Sequence, residues 1–572
     1  MEEKKKCEWL SKHYIVIYIV YLLSLFLFWY FWLPFLNFRD ISFYFYLMLV
    51  LAFPVAIIYA IIKKRYQKND KNTKYTTYRF NKRTGKFEKV FKDITDKYQT
   101  NHLIMRGIFL IVCIFLGIII LFNLTGLKIF NAKAYANQLE IKQGNSEDLN
   151  TIFDYDSGEV LLPRIDKDLA FRLAEARLDE YGSQYFTLIS VNRNDKTELI
   201  RVTPLEYATP FVALSRGDKG TIGYIEVNVI TQEAKLVAYP DGEGLKYMPS
   251  AIFGKDLDRH IRTNYPTLMY NDKYFEIDND GNPYWVIPTI KKEIGVFSGE
   301  TPNGVLVVDP RSGKMTHYAL NDNHKPDWLQ RAVDEAVVAK QADNALTYKN
   351  GFWNTLFAKK EVFQLSDGYN YFIKDGNTYY VSCITSPNSN DQTSIGFITI
   401  NLKTKESIRY SNPGITEMRA REIAQNDERV KAQNLDSTWP ILITYHKVPT
   451  YFVVLKNDVL SQKIVLINVE DGTLVAMGDT LEAAKQEYEL LLANKGIISS
   501  GNEEKETVTV SRIRDLGNKI QFMVEEHQNV YFEVDVNLCL DARFLQVGDK
   551  IDITYKENSG YNLVLLLEKI SE

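Results

Sequence analysis

Three uncharged apolar stretches, Tyr14–Leu36, Ile41–Ile62 and Gly107–Leu127, constrain this chain more than any other feature. Each is close to the ~20 residues that a helix needs to cross a bilayer. All three lie in the first quarter of 572 residues, and roughly 440 residues follow without another such run. The sequence predicts a membrane anchor of three transmembrane helices over 1–127, carrying a large folded region. Tyr14–Leu36 is longer than the apolar core of a cleaved signal peptide, and Trp29 and Trp32 suit a membrane interface. It reads as a retained span.

Basic residues set the orientation, because Lys and Arg stay on the cytoplasmic side. Lys4, Lys5, Lys6 and Lys12 precede the first span, and only Arg39 lies in the turn after it. The connection between the second and third spans, 63–103, is crowded with Lys and Arg from Lys63 to Lys97. The pattern predicts a multi-pass protein of the cell membrane with its N-terminus and loop 63–103 cytoplasmic and residues 128–572 extracytoplasmic. Residues 1–128 hold 20 Lys and Arg against 8 Asp and Glu, so a chain of net charge −4 leaves about −16 for the rest. An acidic outer region carries no footprint for nucleic acid. The basic loop needs no partner beyond the bilayer, since orientation alone requires its charge.

Residues 128–160 read as a stalk. Four segments after it share one pattern, a β-rich run, a polar turn and a second strand. They begin at Gly223-Tyr-Ile-Glu-Val-Asn, Gly304-Val-Leu-Val-Val-Asp, Gly396-Phe-Ile-Thr-Ile-Asn and Ile464-Val-Leu-Ile-Asn. Helical patterns precede them at Asp168–Tyr181 (with Asp166 as a cap), Lys255–Asn264, Asp327–Gln341 and Thr416–Val430, and one more follows at Thr480–Leu492. The fold class is therefore α+β, with each unit a helix on a small antiparallel sheet. Two units fill 161–320, and two more with a closing helix fill 321–499. The last segment, 500–572, opens on a polar linker, Ser500–Lys505. Five short alternating strands then predict a small OB-like β-barrel, facing a protein or glycan or capping the array.

A helix, a strand pair and a strand ending in Val307-Val308-Asp309-Pro310 with Gly313 resembles the PepSY domain, a small exported or membrane-anchored bacterial module. Asp471 and Gly472 match less fully, and the first and third units replace Asp-Pro with Asn-Val and Asn-Leu. The resemblance covers about 160–480 in repeated form and implies a binding or inhibitory role.

No catalytic or cofactor-binding set stands out. The outer histidines, His260, His317, His324, His446 and His527, have no metal-ligand spacing. Asp278–Asn282 faintly suggests a calcium loop, but Thr289 stands where the closing Glu would be needed, and a β-turn is expected. Nucleophile and phosphate-loop motifs are missing. Cys383 and Cys539 are expected to be buried free thiols rather than a disulfide scaffold. The chain therefore reads as a non-enzyme, an envelope protein whose repeats bind a protein or peptide partner as a scaffold or regulator. The alternative is an envelope enzyme acting on cell-wall glycan or peptide. The partner surface is expected at the loop Ile294–Asn303, through Trp285, Phe297, Gly299, Glu300 and Asn303, because Gly-containing loops with aromatic residues carry binding more often than packing.

Overall fold

The computed structural model describes residues 2–69, 76–81, 86–91, 96–158, 160–175, 181–194, 196–387, 392–457, 461–498, 503–517, 519–527, 530–536, 539–558 and 561–570. Parts of the basic loop, of the first expected helix and of the polar linker lie outside these residues.

The chain opens with helices Glu2–Trp32, Ile41–Asn69 and Asp96–Thr125. Two are long and apolar enough to cross a membrane, through Ile41–Tyr59 and Met105–Thr125, while the apolar run of the first is shorter, Tyr18–Trp32. The basic connection forms a two-stranded ribbon, Thr76–Asn81 with Lys86–Phe91.

Four helix–sheet units follow. Their helices, Lys167–Glu175, Leu257–Asn264, Glu335–Tyr348 and Glu417–Asn426, start alike. Side-chain oxygens of Asp166, Asp256, Asp334 and Thr416 accept the backbone N–H three residues on, at 3.0, 2.8, 3.0 and 3.3 Å. Each such cap contributes on the order of 1 kcal/mol. The third helix begins later than its expected Asp327 because Asp334 caps it. Residues 328–333 instead form a buried joint, with the N–H groups of Ala332 and Val333 donating to Leu402 O.

The four sheets are antiparallel meanders whose third and fourth strands repeat one turn. Asn228, Asp309, Asn401 and Asn468 each accept, through a side-chain oxygen, the N–H groups two and three residues ahead. Short Asn and Asp side chains imitate a backbone turn in this way. Gly304 and Gly396 open two of these hairpins where the strands come close: a Cβ on either would overlap the carbonyl oxygen of Tyr318 or Tyr410 across the ladder.

The units associate in pairs. Sheets of the first and second share one core, which includes Ile189, Tyr224, Phe275, Trp285 and Leu306, with Leu257 and Ile261 of the second helix inside it. Sheets of the third and fourth share another, including Phe397, Tyr410, Phe452 and Leu466, with Ala420 and Ala424 of the fourth helix inside. The first and third helices instead cover the outer faces of their own sheets.

Residues 128–160, expected as a stalk, pack against the second pair. Ile141–Gly144 adds a parallel edge strand beside Ser407–Tyr410, and Phe153 enters the shared core. An unpaired sheet edge offers hydrogen bonds that such a segment can satisfy. Helix Leu481–Asn494 closes the fourth unit, and its Ala484, Tyr488 and Leu492 join the same core. The last segment is a closed five-stranded barrel, ordered Glu503–Asp515, Lys519–Val524, Phe532–Asp535, Tyr561–Lys569, Lys550–Asn558 and back to the first strand.

The second unit grips the apolar helices directly. Leu36 N–H donates to Pro266 O at 2.8 Å, and Lys292 pairs with Asp40 at 3.2 Å, both side chains being largely buried. The Arg259 guanidinium lies 4.2 Å from the Tyr30 ring, and that of Arg262 3.2 Å from the Phe35 ring.

Candidate functional site

The expected partner loop is occupied by the chain itself. Trp285 is fully buried, with Nε1 donating to Tyr247 O at 3.0 Å and its ring against Phe275 and Tyr185. It alternates inward on strand Pro283–Ile294, so it anchors the core and not a partner. The hairpin tip runs beyond its own sheet to the end of the third apolar helix. There Val296 N–H donates to Thr125 Oγ1 at 3.2 Å, and the Phe297 ring packs edge-on against Tyr44 and Phe122, at 5.3 and 5.7 Å. Gly299 turns with φ +69°, the Glu300 carbonyl accepts from Gln138 and Gln341, and the Asn303 carbonyl accepts from Leu320 N–H. Phe297, the aromatic residue of this loop, therefore ties the folded region to the apolar helices.

Other sequence expectations resolve locally. Asp278 Oδ1 accepts from the N–H groups of Asp280 and Asn282, an ordinary turn. Cys383 and Cys539 are free and buried. Cys383 Sγ lies 2.9 Å from Tyr451 Oη, and burial pushes its thiol well up, away from the reactive thiolate. Among the described residues, no group of three or more His, Cys, Asp or Glu is arranged for a metal ion.

A different site emerges where the four units converge. A cavity of about 660 Å³ is lined by Asp166, Lys167, Asp168 and Arg201 of the first unit and Asp272, Lys273 and Tyr274 of the second. Arg331 of the joint, Glu335, Tyr369 and Tyr371 of the third unit, and Thr438 and Trp439 of the fourth complete it. The charged lining is balanced, with four cations and four carboxylates.

The joint supplies the floor. Gln330 Nε2 donates to Ser190 O at 2.6 Å, Ser190 N–H donates to Gln330 Oε1 at 3.1 Å, and Arg331 Nη1 donates to Leu188 O at 2.9 Å. These bonds sew residues 330–331 to the edge strand Thr187–Arg193 of the first unit. Arg331 is only 2 % exposed, and its Nε has no partner, nor has the Nε of Arg201. Burial lowers the Arg201 guanidinium to about 10. Behind Arg331, Glu276 Oε1 lies 3.7 Å from Nη1 while Oε2 accepts Gln330 N–H at 3.2 Å. Burial still outweighs that cation and pushes the Glu276 carboxyl up to about 7.

The walls are similarly constrained. Tyr371 Oη donates to Glu335, whose carboxyl is also raised by burial. Asp166 caps the first helix with one oxygen and pairs with Lys456 of the fourth unit through the other. Asn370 Nδ2 donates to Trp439 O at 2.8 Å, and Arg421 stacks 4.5 Å over the Trp439 ring, fixing the rim. Bare guanidinium N–H groups with carboxylates opposite can hold a ligand carrying both charges, and Tyr and Trp rings supply apolar area. The sequence carried one trace of this: Gln330-Arg331 interrupts the run Trp328 to Val333 that is otherwise apolar.

No family model matches the sequence, and no curated protein matches it. Among solved structures, the Ifi202 HINa domain in complex with a 20-bp double-stranded DNA is 8% identical, covering 37% of this chain and 100% of that domain at a TM-score of 0.10. The Trp149Ala mutant of Synechocystis apocarotenoid oxygenase is 9% identical, covering 70% of this chain and 67% of the oxygenase at 0.15. Likeness at that level defines neither a fold nor an activity.

Proposed function

We propose that this chain is a non-catalytic, membrane-anchored protein of the bacterial cell envelope that holds a peptide or protein partner in the cleft between its four units. One observation carries the reading: the Arg331 guanidinium is buried with its Nε bare, at the floor of a cavity to which every unit contributes. A buried, unpaired donor costs free energy unless something accepts its hydrogen bond. The mixed charge of the lining suits a peptide, with a carboxylate for the guanidinium groups and an amine or basic side chain for the acids.

The envelope setting rests on the helices. Their apolar faces, such as Phe31, Phe109 and Ile120, are bare of protein and need a nonaqueous surrounding. The turn at Leu36–Asp40 and the end at Thr125 both touch the folded region, which supports putting them on one side of the bilayer. The basic connection joins the opposite ends, as a cytoplasmic loop would. That arrangement supports the reading of three crossings with the N-terminus and loop 63–103 inside and residues 128–572 outside. The four matching Asn or Asp turns support PepSY-like repeats, and the barrel's pairing order supports an OB-type fold.

The test places a photo-crosslinking residue at Tyr369, on the cleft rim, or at Glu568, on the barrel, of the full chain in intact cells. A peptide or protein adduct is expected at Tyr369, absent at Glu568 and lost with Asp272→Arg. Equal labelling at both positions, or none at Tyr369, overturns the reading. One observation favours a second reading, an envelope enzyme acting on cell-wall glycan or peptide. The Glu335 carboxyl, raised by burial, shares the cavity with carboxylates in other surroundings, a pattern that suits general acid–base work. Release of fragments from purified cell wall by the full chain, abolished in Glu335→Gln, would replace the binding reading.

A further inference from the structure

Large apolar residues stand bare on the barrel, at Leu540, Phe544 and Val547, and also, on two flanks, where the folded region meets the apolar helices. On one flank Phe130 (74 % exposed) follows the third apolar helix by one turn, and Trp353, Leu356 and Phe357 (78 %) stand beside it. The rings form a continuous series. Lys128 Nζ sits 5.0 Å over Tyr348, Tyr348 stacks on Phe352 at 6.4 Å, Phe352 meets Trp353 at 5.6 Å, and Trp353 stacks on Phe357 at 5.9 Å. On the other flank Phe253 is bare. Arg259 joins Phe253 to the end of the first helix: Nη1 donates to the Phe253 carbonyl at 2.7 Å, while the guanidinium stacks on Tyr30.

The Trp353 flank is built, not loose. Asn354 Nδ2 donates to Lys360 O at 2.9 Å, Lys360 N–H donates to Asn354 Oδ1 at 3.2 Å, and Asn350 Nδ2 also reaches Lys360 O, at 3.1 Å. The side chain of one Asn thus closes a tight turn after helix Phe352–Leu356 and holds Trp353 and Phe357 outward. Lys133, Lys359 and Lys360 are exposed around the patch. Rigidly presented aromatic residues rimmed by lysines match the headgroup region of a bilayer: rings bury among the acyl chains near the surface, and ammonium groups reach the phosphates. Lysines near an anionic surface strengthen that attraction.

We propose that this underside seats in the outer interface of the bilayer that the helices cross. Trp353, Leu356 and Phe357 enter the headgroup–acyl boundary on one flank, with Phe253 on the other. The proposal rests on the membrane-anchored reading above. The bilayer is the occupant because the patch is continuous with helix Asp96–Thr125: Lys128, three residues past its end, already touches the ring series. The folded region then lies down on the membrane, held on two flanks of its anchor, with the cleft at a fixed height.

The experiment uses the full chain in vesicles of phosphatidylglycerol and phosphatidylcholine, with ordinary or brominated acyl chains, comparing wild type with Trp353→Phe. Bromine quenches only tryptophan that contacts the acyl region. The emission that disappears on Trp353→Phe is expected to be strongly quenched in brominated vesicles. If it is unquenched while the emission remaining in Trp353→Phe, from Trp29 and Trp32 among others, is quenched, the patch does not enter the bilayer and the proposal fails, with the anchor intact. If neither is quenched, the anchor reading falls and takes the proposal with it. Phe357→Asp is the second variant. Being exposed, it should fold as wild type and reduce the quenching of the Trp353 emission; unchanged quenching would overturn the role of Phe357.

Discussion

Replacing Glu276 by Gln should remove a pH dependence that the wild type carries. Glu276 lies on strand Tyr274–Ile277, is 1 % exposed, and is pushed by burial to about 7 from an ordinary 4.5. Its surroundings are Gln330 N–H, the Arg331 guanidinium and, farther off, Lys403. In the folded protein the carboxyl keeps its proton until about pH 7, while the unfolded chain releases it near pH 4.5. Between those values the folded state binds more protons, so stability falls as pH rises through the window. At about 1.4 kcal/mol per tenfold change in proton affinity, the gap amounts to about 3 kcal/mol, an upper figure because water reaches buried sites in part. Gln keeps an acceptor for Gln330 N–H and cannot ionise. It also leaves Arg331 without its carboxylate, so the absolute stability of the variant at one pH decides nothing. The difference between wild type and variant does, since other titrating groups cancel in it. Denaturant unfolding of the detergent-solubilised full chain, followed by tryptophan emission at pH 4.5 to 8, should show the wild type losing about 1–3 kcal/mol relative to Glu276→Gln. A flat difference would show that Arg331 keeps Glu276 ionised throughout, and would refute the account of this floor.

Trp285→Ala should cost about 3–5 kcal/mol of stability, measured by the same unfolding, because it opens a cavity between two sheets; a loss of only a few tenths would return Trp285 to the surface. Phe297→Ala should leave the unfolding midpoint of the sheets almost unchanged but speed protease cleavage near residues 125–131, where the hairpin tip holds the end of the third apolar helix. Unaltered cleavage would mean that the tip does not couple the two parts. Asn401→Ala removes the acceptor for two N–H groups and should cost about 1–2 kcal/mol, with Asn401→Asp retaining most of it; equal losses in both variants would show that the turn does not depend on that oxygen.

Much of the architecture is written locally. Continuous apolar runs specify helices suited to a bilayer whatever surrounds them, because the cost of exposing them to water is a sum over residues. The Asp or Thr caps and the four Asn or Asp turns act within three residues of themselves, so each unit's helix and hairpin could be read from sequence. Limits of elements were less legible. The helix expected from Asp327 starts at Glu335 because residues 328–333 find their partners on Leu402 and on the first unit, far away in the chain.

What each surface faces was decided only by tertiary structure. Trp285 and Phe297 look like a binding loop in sequence because aromatic residues beside glycine serve packing and recognition equally well. One is core and the other rests on the chain's own helices. The 128–160 segment has the composition of a spacer, yet an open sheet edge more than 260 residues later gives it a strand partner. The cleft was invisible for the same reason. Asp166, Arg201, Asp272, Arg331 and Trp439 are ordinary polar or aromatic residues where they stand in the chain. Burial among other units leaves the Nε atoms of Arg201 and Arg331 without partners and lowers the proton affinity of Arg201, and burial depends on distance in space, which sequence order does not encode.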